Sequence, residues 1–229
     1  MKAEDKKTGS VFREYFELIV ETAVFVFFVM TFVIQAFQIP TGSMEPNLLI
    51  GDFLLVNKLI YANSDSALDR LVLPKRAVRS QEIIVFKYPE DLTKDYVKRA
   101  IGLPGDVVEI KQKQVYVNQK PLEEPYKYHG DSRVYEDSLE AGFLRDNYGP
   151  VTVPAGQIFA LGDNRDDSLD SRYWGFVPIS YVRGRPWIIY FSYKAEPDAY
   201  LKTSFEERMK KLVRFLPKAR LNRILKVIH

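Results

Sequence analysis

The 229-residue chain is 46% apolar and 28% charged, which supplies a packed core, while a net charge of only +3 argues against a strongly basic nucleic-acid binder. Cysteine is absent, so thiol nucleophiles, disulfide frameworks and thiolate metal sites are excluded together. Only two histidines occur, His129 and His229, which leaves one internal histidine for a Ser-His-Asp hydrolase and little for a two-His metal site.

The length allows one catalytic-sized domain with attachments. Leu18 to Ile39 is apolar apart from Glu21, Thr22, Thr31, Gln35 and Gln38. A helix of about 20 such residues crosses the ~30 Å hydrocarbon layer. The alternatives are a buried soluble helix and a cleavable signal peptide. Against the latter, no small-residue cleavage site follows the run, which continues as Pro40-Thr41-Gly42-Ser43. The expectation is a retained single-pass anchor over residues 17–38. Lys2, Lys6, Lys7 and Arg13 precede it, whereas residues 39–58 hold only Lys58. This bias places residues 1–16 in the cytoplasm and the rest outside it, on the cytoplasmic (inner) membrane.

Beyond the anchor, short runs rich in Val, Ile, Phe and Tyr alternate with Gly, Pro, Asp and Asn. They are Phe53–Tyr61, Glu82–Tyr88, Tyr96–Ile101, Val107–Ile110, Val115–Val117, Ile158–Leu161 and Trp187–Tyr193. The fold class expected is an all-β catalytic body, barrel-like or of folded antiparallel sheets, behind an N-terminal transmembrane helix. The β domain is expected over 39–110 and 156–195. Residues 62–80 and 119–150 read as polar, turn-rich excursions. The tail, 196–229, reads as a basic, C-terminal helix broken at Pro217, with Leu221, Ile224, Leu225 and Ile228 as one apolar cluster. From Arg208 onward there are eight Lys/Arg and no acid, so the total of +3 conceals a body of −5. Such a tail suits an anionic lipid surface or a solvated helix docked on the body.

Four segments concentrate Gly, Pro, charge and hydroxyls. They are Phe37 to Pro46 (FQIPTGSMEP), Gly51 to Lys58 (GDFLLVNK), Asp95 to Asp106 (DYVKRAIGLPGD) and Gly162 to Gly175 (GDNRDDSLDSRYWG). Each alone has an ordinary reading as a turn or a wet strand face. The last is no EF-hand loop, because its sixth position lacks glycine and its closing glutamate is missing. No nucleotide, flavin or metal motif is visible, so no cofactor is expected.

Together and in order, the motifs Ser-Met-x-Pro, Gly-Asp-x-x-x-Val-x-Lys, Lys-Arg-x-x-Gly-x-Pro-Gly-Asp and Gly-Asp-Asn-Arg-Asp-x-Ser-x-Asp-Ser-Arg give a chain that resembles type I signal peptidases. These are membrane-bound Ser/Lys endopeptidases that remove signal peptides from exported proteins. The resemblance spans residues 15–193. Composition meets it independently, since a serine hydrolase without cysteine and nearly without histidine needs another base. A lysine serves if neutral, and lowering its pKa of about 10.4 by two to three units costs about 3–4 kcal/mol, which burial can supply.

The resemblance implies Ser43 as nucleophile, Lys98 as general base and Ser168 as the residue orienting that base. It implies the Ser43 N–H and the Thr41 hydroxyl as oxyanion donors, and Asp170 with Arg172 as a structural ion pair beside the site. Phe37, Ile39, Pro40, Met44 and Val97 match the walls of shallow pockets for the small residues of Ala-x-Ala cleavage sites. Asp163, Asn164 and Arg165 read as scaffold, and 111–155 matches the family's variable cap region. The implied partners are preprotein signal peptides, bound extended as an added strand, and the lipid bilayer; no nucleic acid is expected. The alternatives are a relative dedicated to one substrate, such as a pilus subunit, and an inactive membrane-tethered β scaffold. A self-cleaving repressor shares Ser/Lys chemistry but would carry a DNA-reading helix pair where this chain has its apolar run.

Overall fold

The structure is a computed structural model that describes residues 5–61, 76–135, 145–195 and 218–228. Its first element, α1 (Asp5–Phe28), runs into a π-helical turn, Val29–Val33. Val11–Val33 is long and apolar enough to cross a membrane, about 35 Å at helical rise, and none of its side chains is buried by the rest of the protein. The expected helix over residues 17–38 is not helical to its end, because Ile34–Gln38 form strand β1. Hydropathy cannot mark this change. It is set by a partner 15 to 23 residues away, as β1 pairs antiparallel with β2 (Asp52–Asn57), Phe37 opposite Leu54. Lys58 fastens the junction by donating its N–H to the Val33 carbonyl (3.0 Å) and its ammonium to the Thr31 carbonyl (2.7 Å).

The body is built from two antiparallel sheets. The strands of the larger are β1, β2, β3 (Ile83–Tyr88), β4 (Asp91–Gly102), β9 (Gln157–Leu161), β10 (Val177–Pro178), β11 (Val182–Ser192) and β12 (Lys226–Val227). They lie in the order β1-β2-β11-β3-β4-β9-β10, and β12 pairs with β11. The smaller sheet, in the order β7-β6-β5-β8, contains β5 (Val107–Lys111), β6 (Gln114–Val117), β7 (Lys120–Pro121) and β8 (Tyr148–Thr152). All-β folding with an N-terminal apolar helix thus holds. The stretch 119–150, read as an excursion, instead supplies β7 and the start of β8 to the second sheet. It has little alternation because Lys120, Pro121 and most of β8 stay at the surface. Residues 62–75 and 136–144 of the two excursions lie outside the described residues.

Strand β3 shows why the body needs apolar residues on both faces. Ile83 and Val85 enter a core with Ile39, Met44, Leu48, Leu54 and Val56, while Ile84 and Phe86 enter another with Ala100, Ile158 and Val177. Side chains alternate across a strand, so a sheet covered on both sides selects a continuous apolar run. A third core, including Val108, Val115, Phe159 and Leu161, joins the two sheets.

Residues 218–228 of the tail depart from the expected helix. Residues 196–217 and 229 lie outside the described residues, but 218–228 include a 3₁₀ turn, Leu221–Arg223, followed by β12. Leu221 and Leu225 are exposed while Ile228 is buried, so the expected apolar cluster does not share one face. The anchor of this segment is electrostatic. Arg223 donates to both oxygens of the buried Asp52 (3.0 and 2.6 Å) and to the Asn47 carbonyl (2.8 Å), which no helical period encodes.

Candidate active site

The loop that carries Ser43 is closed at its base by the β1–β2 ladder. Ile39 donates to the Asp52 carbonyl (2.8 Å), and Gly51 donates back to Ile39 (2.9 Å). Within the loop Glu45 N–H bonds the Gly42 carbonyl (3.0 Å) and Leu48 N–H the Met44 carbonyl (2.9 Å). Asp52 accepts from Leu49 N–H (2.8 Å), Ser192 Oγ (2.6 Å) and Arg223, so the Gly-Asp of the second motif frames the loop. Gly51 fits because its φ is +90° and a Cβ there would stand 2.2 Å from the Tyr193 carbonyl oxygen. Met44 and Leu48 sink into the core and hold the loop down on the sheet.

Lys98 lies on β4 opposite Ile84 of β3 and is 3% exposed. Its Nζ is hydrogen-bonded to Ser43 Oγ at 2.5 Å. Two residues 55 apart in sequence thus make one buried contact. Burial pushes the Lys98 ammonium down to about 8; Asp170 pulls it back up, and Arg172 pushes it down again. An amine in that range gives a usable neutral fraction near neutral pH. The lone internal histidine is committed elsewhere: His129 Nδ1 lies 3.2 Å from Asp166 Oδ1. Burial lowers its pKa despite that carboxylate, and it lies outside the groove that holds Ser43.

Ser43 and Lys98 open into a groove of about 370 Å³. Its walls include Phe37, Ile39, Pro40, Thr41, Met44 and Val97, which brings together every residue expected in the pocket. Tyr96, Asp95, Asp167 and Leu169 also line it. Among the described residues β1 forms a ladder only with β2, and residues 91–98 of β4 form one only with β3, so each strand borders this groove along the side away from its ladder partner.

Ser168 differs from its expected arrangement. Its Oγ is buried but makes no hydrogen bond among the described residues, so the bond expected to Lys98 is not formed. It still packs beside the nucleophile loop. A Cβ on Gly162 would stand 2.2 Å from Ser168 Oγ and 2.5 Å from the Ser43 carbonyl oxygen. Gly162→Ala is therefore expected to push the Ser43 turn outward and to cost about 1–3 kcal/mol of stability. Urea unfolding of the variant tests this; an unchanged midpoint would show that the turn yields freely.

Asp170 and Arg172 are both buried and paired through Arg172 Nε and Nη2, each at 2.8 Å. Burial alone would raise the Asp170 carboxyl, but the Arg172 guanidinium and the Gly162 N–H (3.0 Å) bring it below the usual range. Asp170 also accepts from Arg172 N–H at the start of the short helix α2 (Ser171–Trp174). Arg99 grips Asp163 at 2.8 and 2.7 Å, and Asn47 Nδ2 joins the same carboxylate at 2.9 Å. Asn47 and Arg99 were not singled out from sequence. Arg99 had the signal of its place beside Lys98 in a motif; Asn47 had none.

Residues 12–191 match the family model described as signal peptidase, peptidase S26. Signal peptidase I of Pseudomonas aeruginosa is 37% identical over 189 residues, covering 71% of this chain and 66% of that protein. A probable signal peptidase I-2 of Synechocystis sp. is 42% identical over 166 residues, covering 70% and 64%. Signal peptidase I of Aquifex aeolicus is 34% identical over 217 residues, covering 74% and 80%. The matched part is thus just under two thirds of the first two relatives.

Proposed function

The chain belongs to the signal peptidase family, peptidase S26, and from that premise we propose that it is a membrane-bound endopeptidase that cuts signal peptides from exported preproteins with a Ser43/Lys98 dyad. The observation that carries this reading is the buried 2.5 Å contact between Lys98 Nζ and Ser43 Oγ at the floor of an apolar groove.

In this reading neutral Lys98 takes the Ser43 proton as Oγ attacks the scissile carbonyl. The resulting oxyanion is met by the Ser43 N–H and the Thr41 hydroxyl, a donor pair of the kind worth about 3 kcal/mol per member. The Lys98 ammonium then protonates the leaving amine, which departs with the mature protein. Lys98, neutral again, takes a proton from water as its oxygen attacks the Ser43 ester, then returns that proton to the departing Ser43 Oγ as the signal peptide is released with its new carboxylate. Asp170 and Arg172 set the field around Lys98.

The groove suits an extended peptide. Strand β1, at the rim of the larger sheet, would supply backbone hydrogen bonds, and Phe37, Ile39, Pro40, Met44 and Val97 would form shallow apolar pockets for small residues at −3 and −1. Position supports a membrane substrate as well, since Ser43 follows the apolar helix by a five-residue strand and a short turn. The lysine-rich start would keep the N-terminus cytoplasmic and the groove at the outer surface of the cytoplasmic membrane.

The test is incubation of the full-length protein, in detergent with lipid, with a preprotein bearing Ala-x-Ala. Product mass and new N-terminus should report one cut after the second small residue, absent in Ser43→Ala. Cleavage elsewhere, or persisting without Ser43, would overturn the proposal.

A further inference from the structure

Asn164 lies between Asp163 and Arg165, in a segment whose charged members form buried ion pairs, and its own side chain does something else. Its backbone N–H donates to the Ser43 carbonyl (3.1 Å), and its side-chain Nδ2 donates to the Gly42 carbonyl (3.2 Å). One residue therefore grips the peptide before Ser43 and the peptide after it. The amide orientation follows from chemistry, since turning it over would set Oδ1 against the Gly42 oxygen.

Gly42 C=O and Ser43 N–H belong to the same peptide unit, which is planar, with the two groups pointing in opposite directions. Holding the oxygen on one side fixes the direction of the N–H on the other. The Gly42 oxygen has a second donor, Glu45 N–H at 3.0 Å. Two donors on one carbonyl polarise the amide and strengthen its N–H as a donor. The Ser43 N–H itself makes no hydrogen bond among the described residues.

Asn164 is in turn immobilised. It is 9% exposed and bridges to Tyr128. On either side of it, Tyr128 N–H bonds the Asp163 carbonyl (2.8 Å) and Arg165 N–H bonds the Tyr128 carbonyl (2.9 Å). The grip on Ser43 is thus referenced to the rigid body, and the flexible end of a long side chain takes no part.

We infer that Asn164 is a positioning residue for the oxyanion site: through the Gly42 carbonyl it aims and polarises the Ser43 N–H. The inference rests on the Ser/Lys reading above. It places the effect of Asn164 in the transition state, where negative charge reaches the carbonyl oxygen, and leaves ground-state peptide binding in the groove untouched.

The experiment compares wild type with Asn164→Asp, which keeps the shape but replaces the donor with an acceptor, and with Asn164→Ala. For the full-length protein it reads kcat, KM, thermal midpoint and the inhibition constant of a peptide aldehyde ending in Ala-x-Ala. The aldehyde reports oxyanion support because Ser43 Oγ adds to its carbonyl carbon and the Oγ proton stays on Lys98, which leaves the former carbonyl oxygen negative in the oxyanion site. Expected is a fall in kcat of about 10–100-fold with KM within about threefold, and a matching rise in the aldehyde constant. A midpoint that falls with kcat unchanged, or a KM that rises alone, would make Asn164 merely structural and overturn the inference. So would failure of both variants to fold. The two readings fail separately. Cleavage surviving in Ser43→Ala strikes the Ser/Lys proposal, whereas inert Ser43→Ala beside a fully active Asn164→Asp strikes only the inference.

Discussion

Lys98→Met is expected to lower kcat by about 10⁴-fold and, at the same time, to make the protein more stable at pH 7. Methionine fills nearly the same volume with an apolar chain, so the groove floor remains closed while the base that touches Ser43 Oγ is lost. The stability gain follows from the depressed pKa. Lys98 sits at about 8 in the folded protein against 10.5 for the free side chain, so the folded state disfavours the ammonium. That difference corresponds to about 3 kcal/mol of destabilisation, present in full below pH 8 where both states are protonated. Between pH 8 and about 10.5 the unfolded chain binds the extra proton, and wild-type stability rises with pH until the penalty is gone. Urea unfolding of the two proteins should therefore show Lys98→Met ahead at pH 7 and the two converging near pH 10. In the wild type, kcat/KM should climb with pH through an inflection near 8. An inflection near 6 would assign the base to another group.

The largest structural loss is expected at the Asp170–Arg172 pair. Both side chains are buried, so removing one strands the other's charge, at a cost of about 3–5 kcal/mol. The single variants Arg172→Met and Asp170→Asn should be comparably destabilised. The double variant should lose less than their sum, because no charge is left unpaired. Acid should act in the same direction. The Asp170 pKa is held below its ordinary value, so the pair's contribution is present above the unfolded carboxylate range and lost as pH falls through the folded value.

The two variants part company in catalysis. Asp170 pulls the Lys98 pKa up and Arg172 pushes it down. Arg172→Met should therefore move the inflection of kcat/KM to higher pH, and Asp170→Asn should move it lower. Measured pH–rate profiles of the two variants decide the matter. Movement in the same direction, or single-variant losses below about 1 kcal/mol, would show that the pair neither carries the local fold nor sets the field at Lys98.

What the chain declared by itself was chemical inventory and order. The absence of cysteine and the near absence of histidine point from a serine toward a lysine, because a nucleophile needs a base of adjustable pKa. The runs around Ile83–Tyr88 and Tyr96–Ile101 read as strands, since β-branched and aromatic content bounded by turn residues is a local signal. The apolar run is equally plain, because water excludes it wherever it lies.

Contacts across sequence were beyond that reading. Ile34–Gln38 continues an apolar stretch, and only its pairing with Asp52–Asn57 makes it a strand. Residues 221–228 carry a helix-like spacing, yet Arg223 reaching Asp52 and the pairing of β12 with β11 decide their course. Asn164 read as scaffold because a side-chain amide has no signature until its distance to the Gly42 carbonyl is known. The unpartnered Ser168 hydroxyl belongs to the same class. Local patterns record which face of an element is apolar; hydrogen bonds and ion pairs between distant segments depend on ångström placement, and only the folded chain provides it.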